Sequence, residues 1–176
     1  KIFPPDINQS DALFKIMGEK AIRFGLLAVK NVGLGAVESV VAARKNGEFL
    51  SLQDLCQRID LRLANRKVLE SLIKCGALDG FGLPRAHMVA SLDQLLEQSA
   101  KSQRERATGQ LSFFDQLHGN ATFENARNAT VHVHEWPEPQ VLAFEKEMLG
   151  FYVSGHPLAR YASSLKRFAS ASTANL

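Results

Sequence analysis

The chain has 176 residues, 45% of them hydrophobic and 22% charged, with 21 Lys and Arg against 18 Asp and Glu for a formal net charge of +3. That balance is ordinary for a folded chain and excludes a disordered polyelectrolyte; no apolar run approaches the ~20 residues of a membrane span. Cys56 and Cys75 lack CxxC spacing and fit a reducing compartment as small buried hydrophobes. The opening residues carry no basic-then-apolar leader, so a cytoplasmic protein is expected, and a start at Lys1 without Met suggests a piece of something longer. Charge is uneven: residues 15–74 hold eleven Lys and Arg against six Asp and Glu, whereas residues 119–176 hold five of each. Such a local excess suits an anionic partner or a solvated face that leans basic.

Residues 1–26 are expected to be extended, with Phe14-Lys15-Ile16 and Ile22-Arg23-Phe24 alternating around Gly18-Glu19-Lys20 as a small β-hairpin. The most informative stretch follows, from Gly25 to Val37. It predicts a short apolar helix, a tight hairpin and a second helix, which is the helix-hairpin-helix pattern. The hairpin needs a residue that accepts positive φ. Asn31 stands where glycine usually does, and asparagine tolerates that geometry best among other residues. Amides at Val32, Gly33 and Leu34 are expected to face a phosphate, with Lys30 as a charge beside them.

The next helix spans 35–45, with Val37, Val40, Val41 and the stem of Arg44 on one face and Gly47 as its stop. Ser51 caps a short helix that turns Leu52, Leu55, Cys56 and Ile59 inward. Asn65 caps another, with a stripe of Val68, Leu69, Leu72 and Ile73 ended by Gly76. A second hairpin-like joint covers 75–82, and Pro84 opens a long helix that buries Met88, Leu92, Leu95 and Leu96. This second unit is the weaker match; its joint either touches DNA or is a packing repeat. The two units offer Lys30, Asn31, Val32, Gly33 and Leu34, then Lys74, Gly76 and Ala77, as DNA-binding residues. Arg44, Lys45, Arg66 and Lys67 flank them as phosphate partners.

Residues 107–135 read as a linker, rich in Gly and Asn with few periodic apolar positions. Within it, Gln110-Leu111-Ser112-Phe113-Phe114 places a leucine and two adjacent phenylalanines in a polar stretch. Such anchors either staple the linker to its own helices or fill a partner's pocket. From Pro137 a helix carries Val141, Phe144, Met148 and Leu149 and ends at Gly150; 151–154 is extended, 157–168 one more helix, and 169–176 a disordered tail. Trp136 is expected as a packing anchor and His156 as a turn histidine. His132 and His134 lack thiol or carboxylate partners at ligand spacing, so no metal site is expected. No catalytic constellation is expected either, because Glu38, Asp54, Asp60, Glu70 and Glu97 are scattered and two-metal nucleotidyl transfer needs convergent carboxylates.

Several segments in colinear order resemble the α-subunit family of bacterial DNA polymerase III, the replicative C-family polymerases. They are 4–10 and 22–26 around the first hairpin, Phe49–Cys56, Val68–Asp79 and Gly150–Leu158. The family usually has Gly-hydrophobic-Gly where this chain has Asn31-Val32-Gly33. The resemblance implies a mainly α fold: a tandem helix-hairpin-helix domain with a small N-terminal β-hairpin, then a linker and short C-terminal helices. The implied division is 1–106 as the end of the fingers region with the DNA-binding hairpins, 107–135 as linker, and 136–176 as a helical segment before an OB-fold. It implies that Gln110, Leu111, Ser112, Phe113 and Phe114 bind the sliding clamp. The implied partners are double-stranded DNA, the clamp, and the rest of the polymerase chain and holoenzyme, with no membrane. The parent activity would be DNA-directed DNA synthesis, with Mg²⁺ and catalytic aspartates in an upstream palm and no cofactor here. A helix-hairpin-helix module of a repair protein, an error-prone paralogue and a purely structural domain are the rival readings.

Overall fold

The computed structural model describes residues 1–107 and 133–168. It begins with three two-residue strands, β1 (Ile2–Phe3), β2 (Lys15–Ile16) and β3 (Ile22–Arg23), in the order β1-β3-β2. β2 and β3 form the expected antiparallel hairpin, with Lys15 opposite Arg23 and Ile16 opposite Ile22. β1 joins the other edge of β3 in parallel, a pairing too short to leave a periodic signal. After β3 the chain presses onto residues 11–13: a Cβ at Gly25 would lie 2.5 Å from the Leu13 carbonyl carbon, so only glycine fits there.

Among the described residues, five helices and a short sixth build the rest: α1 (Leu34–Arg44), α2 (Leu52–Arg58), α3 (Arg66–Lys74), α4 (Arg85–Ala107), α5 (Glu138–Leu149) and α6 (Ala162–Phe168). The caps fall where the sequence puts them. The Ser51 hydroxyl accepts from the Asp54 amide at 3.1 Å, and the Asn65 carbonyl oxygen accepts from the amides of Lys67 and Val68. Each such cap contributes about 1 kcal/mol. α2 and α3 pack on α4, and α5 lies on α3. Leu55, Leu69, Leu72, Ile73, Leu78, Met88 and Leu92 are sealed from water, and Met148 and Leu149 of α5 enter the same cluster. Burial raises the thiols of both Cys56 and Cys75 to about 12, which leaves them inert.

Three expectations change. The apolar run Gly25–Val29 makes a single 3-10 turn (Leu26–Ala28), because five residues cannot repay helix nucleation. α5 buries Leu142 and Glu145, while Val141 and Phe144 are half-buried. Residues 157–168 divide into a 3-10 turn at Ala159–Tyr161 and α6. The expected tail at 169–176 and most of the expected linker lie outside the described residues.

Glu145 ties the C-terminal segment to the rest. Its carboxylate accepts from Arg85 Nη1 at 3.0 Å and from the amides of Val153 and Ser154 at 2.8 and 2.9 Å. Arg85 in turn donates to both Asp79 carboxylate oxygens and to the Lys74 carbonyl. A sealed charge is tolerable because both its oxygens are engaged.

Candidate nucleic-acid interface

The first hairpin is a backbone surface. Asn31 has φ 67°, and it alone among the described non-glycine residues adopts positive φ, as the sequence predicts for that position. Its side chain does a second job: Nδ2 donates to Ser71 Oγ at 3.0 Å, fastening the hairpin to α3. Gly33 then forms the N-cap of α1 with φ −94° and ψ 165° and offers no side-chain cap. The amides of Gly33, Leu34 and Gly35 have no hydrogen-bond partner among the described residues, and a Cβ on Gly33 would meet nothing within 4 Å. Neither backbone geometry nor packing demands glycine there. Its absence of a side chain leaves three unpaired donors at a helix N-terminus approachable from outside. Val32 does not share this role, because its side chain is buried and its amide closes the preceding turn on the Val29 carbonyl at 3.1 Å.

The second joint has a different character. Gly76, at φ 84°, ends α3: its amide donates to Ile73 and that of Ala77 to Leu72, both at 3.0 Å, the paired bonds of a Schellman cap. Both residues are buried. The Ala77 carbonyl accepts from the Ile7 amide at 2.8 Å, and the space beside Gly76 holds the Arg85 guanidinium and the Asp79 carboxylate. Gly76 and Ala77 therefore offer no outward amide; both are spent on bonds within the chain. The opening of α4 is likewise filled from within the chain. The Glu135 carboxylate accepts from the amides of Arg85, Ala86 and Trp136.

A family model described as the helix-hairpin-helix motif matches residues 1–88, half of the chain and the region that contains both joints. The chain belongs to the helix-hairpin-helix family. Polymerase subunits are among its relatives. It is 39% identical over 171 residues to DNA polymerase III subunit alpha of Haemophilus influenzae, covering 97% of this chain and 15% of that protein. The same subunit of Escherichia coli strain K12 is 38% identical over 169 residues, covering 96% and 14%, and that of Thermus aquaticus 40% identical over 161 residues, covering 91% and 12%. The chain thus spans about one-seventh of the length of these relatives.

In this helix-hairpin-helix unit the basic residues divide sharply. Arg44 is internal: its guanidinium donates to the Ile7 and Ser10 carbonyls and pairs with Asp11 at 3.3 Å, so it clamps the N-terminal segment instead of facing solvent. Lys74 is held by Glu70 at 2.7 Å and lies 4.5 Å from the Phe144 ring centre. Arg66 bridges Asp93 at 2.6 Å and Glu70. Lys30, half-exposed, pairs with Glu147 at 3.2 Å, and its amide donates to the Met148 carbonyl. Lys45 and Lys67 are exposed, with no side-chain partner among the described residues. Trp136 packs against Phe144 and His156 accepts from the Leu158 amide in a turn, as expected of each. Gln110–Phe114 and His132 lie outside the described residues. Among the described residues no group of His, Cys, Asp or Glu could hold a metal ion, and no helix is long and apolar enough to cross a membrane. Sequence reasoning missed Ser71, Glu135 and Glu145, polar residues whose partners come from other elements. Only the serine and glutamate inside otherwise apolar helical faces hint at them.

Proposed function

We infer that this chain is the duplex-binding segment of a bacterial replicative DNA polymerase, gripping the phosphate backbone through the first hairpin. One observation carries the reading: three unpaired amides at the tip of α1, beside a glycine that the fold itself does not require. Lys30, Asn31, Gly33 and Leu34 form the contact, with Lys45 and Lys67 as flanking charges. Lys30 can move from Glu147 to phosphate at little cost, since an exposed ion pair contributes at most about 1 kcal/mol. Phosphate contacts position a protein without reading sequence, so the binding is nonspecific. Polymerisation belongs to the remainder of the parent chain, whose carboxylates and Mg²⁺ would lie elsewhere.

Gln110–Phe114 is the sliding-clamp tether of the same reading. Support comes from its place in the chain, three residues beyond the end of α4 at Ala107. The last turns of α4 are fastened by Gln103, whose amide donates to the carbonyls of Cys56, Gln57 and Ile59 at the end of α2. A tether leaving there starts beside the domain that holds the duplex. A clamp encircling that duplex would then turn two weak attachments into a stronger one. The test is fluorescence anisotropy of this chain with a bacterial sliding clamp, beside a Phe113→Ala, Phe114→Ala variant. Micromolar binding that the variant loses supports the tether; no binding by either leaves the pentapeptide as an internal staple. In parallel, duplex binding that weakens steeply with salt supports the DNA reading, and salt-independent or absent binding refutes it.

A further inference from the structure

Two leucines stand exposed beside the open amides, where a folded chain gains nothing from showing them to water. Leu34, the first residue of α1, is 54% exposed, and Leu63, in the turn between α2 and α3, is 49% exposed. They come from different elements and are brought to one place: Leu63 lies over Gly35, with Cδ2 at 3.4 Å from where a Cβ would stand. The turn itself is fixed on α1 by the Ser39 hydroxyl, which accepts from the Asp60 amide at 2.8 Å. Arg62, next to Leu63, has an 89% exposed side chain. Asp60 holds Arg62 Nε and Nη2 at 3.0 and 2.7 Å, which orients the fork and leaves Nη1 without a partner among the described residues. Lys67, in the first turn of α3, and Glu38, one turn along α1, are both exposed.

We propose that the α2–α3 turn is the second arm of the DNA grip, with Leu34 and Leu63 resting on the sugar faces of the duplex and Arg62 reaching a phosphate. The proposal rests on the reading of the first hairpin as a phosphate grip and adds what the second joint, folded inward, does not provide. Apolar side chains within a basic rim match a duplex, whose phosphates flank the apolar faces of its sugars. Arg62 Nη1 and the Lys67 ammonium have no partner among the described residues, so both are open to phosphate oxygens. Continuity with the unpaired amides of Gly33 to Gly35 makes the occupant the same duplex.

The experiment is duplex binding by the 176-residue chain, read by fluorescence anisotropy across a salt series. Its variants are Leu34→Ala with Leu63→Ala, Arg62→Gln, Leu63→Met and Gly33→Ser, each checked for an unchanged Tm. The double leucine variant is expected to bind about tenfold more weakly with an unchanged salt slope, because apolar contacts release no counterions. Arg62→Gln is expected to reduce the slope by about 0.9, the loss of one phosphate contact. Leu63→Met keeps affinity within about twofold, since it keeps the apolar volume. If Gly33→Ser weakens binding while the leucine and arginine variants bind like the parent, the hairpin grip stands and the second arm is overturned, leaving the leucines to face protein. If none of the variants changes binding, both readings fall together.

Discussion

Substitution at Gly33 separates what the fold needs from what the ligand needs. In Gly33→Ala, the loss of a glycine N-cap costs about 0.5–1 kcal/mol of helix stability. Stiffening the unfolded chain returns about 0.4–1 kcal/mol, provided the native dihedrals suit alanine. They do: φ −94°, ψ 165° is extended backbone, and the new Cβ meets nothing within 4 Å. The two effects nearly cancel, so stability should stay within about 0.5 kcal/mol of the parent. Gly33→Ser should do slightly better, because its hydroxyl can cap amides of α1 that no side chain caps now. Binding should move the other way. A methyl group stands between phosphate and amide, and a charge-assisted hydrogen bond to a backbone N–H is worth about 1.5–3 kcal/mol. Losing one weakens Kd by about 10- to 100-fold. The serine variant loses affinity too, since its hydroxyl takes the donor that phosphate would use. Urea unfolding and anisotropy with a labelled duplex, run at one salt concentration, test both halves. Parent-like DNA affinity in both variants would refute the anion reading. A stability loss above about 1.5 kcal/mol in Gly33→Ala would show that the glycine serves the fold.

Asn31→Ala should cost about 2 kcal/mol in urea unfolding, about half from left-handed strain and half from the lost bond to Ser71. Asn31→Gly should cost about 1 kcal/mol, and an alanine variant no worse than glycine would contradict the role of positive φ. Glu147→Gln releases Lys30 and should tighten duplex binding by about twofold; unchanged affinity would mean that Lys30 stays off DNA. Glu145→Ala strands the Arg85 charge and the amides of Val153 and Ser154, and should cost about 3–5 kcal/mol, with Glu145→Gln recovering part by keeping an acceptor. A loss under about 1 kcal/mol would mean that this segment is not held by Glu145. For Glu135, burial works against ionisation, but the amides of Trp136, Arg85 and Ala86 outweigh it and hold the carboxyl below its ordinary value. A depressed carboxyl stabilises the fold above the ordinary carboxylate pKa and loses that contribution as pH falls through the lowered value. Tm should therefore fall less on acidification in Glu135→Gln than in the parent, and identical pH profiles would remove the cap from the account.

How much of this was legible in the sequence depends on whether the information was local. Ser51, Asn65 and Gly47 act within a turn of themselves, and the caps and stop fall as expected. Asn31 is the sharpest case, since one residue type in one position predicts a positive φ, and the structure has 67° there. What its side chain does was not legible, because Ser71 lies forty residues away. The same distance problem hid Glu145, a charged residue on a helix whose face is set by Arg85 and by the turn at Val153 and Ser154. Spacing along α5 favoured Val141 and Phe144 for the core, yet Phe144 sits half-buried under Lys74 and beside Trp136.

The charge excess teaches a related lesson. Residues 15–74 carry five more basic than acidic side chains, and that sum is unchanged by folding, so the field that draws a polyanion is legible in the sequence. Which cations can touch the polyanion is not. Arg44 sits over carbonyls of the N-terminal segment, and Lys74 is held between Glu70 and Phe144. Arg66 bridges two helices. Those three hold the scaffold, whereas Lys45, Lys67 and the outer edge of Arg62 remain exposed. Salt dependence of binding counts only phosphate contacts, at about 0.9 per contact in the slope. A measured slope near 3–4 would therefore fit a grip made by Lys30, Arg62 and Lys67 with one flanking lysine, whereas the six basic residues that the sequence offers around the two hairpins would require a slope near 5.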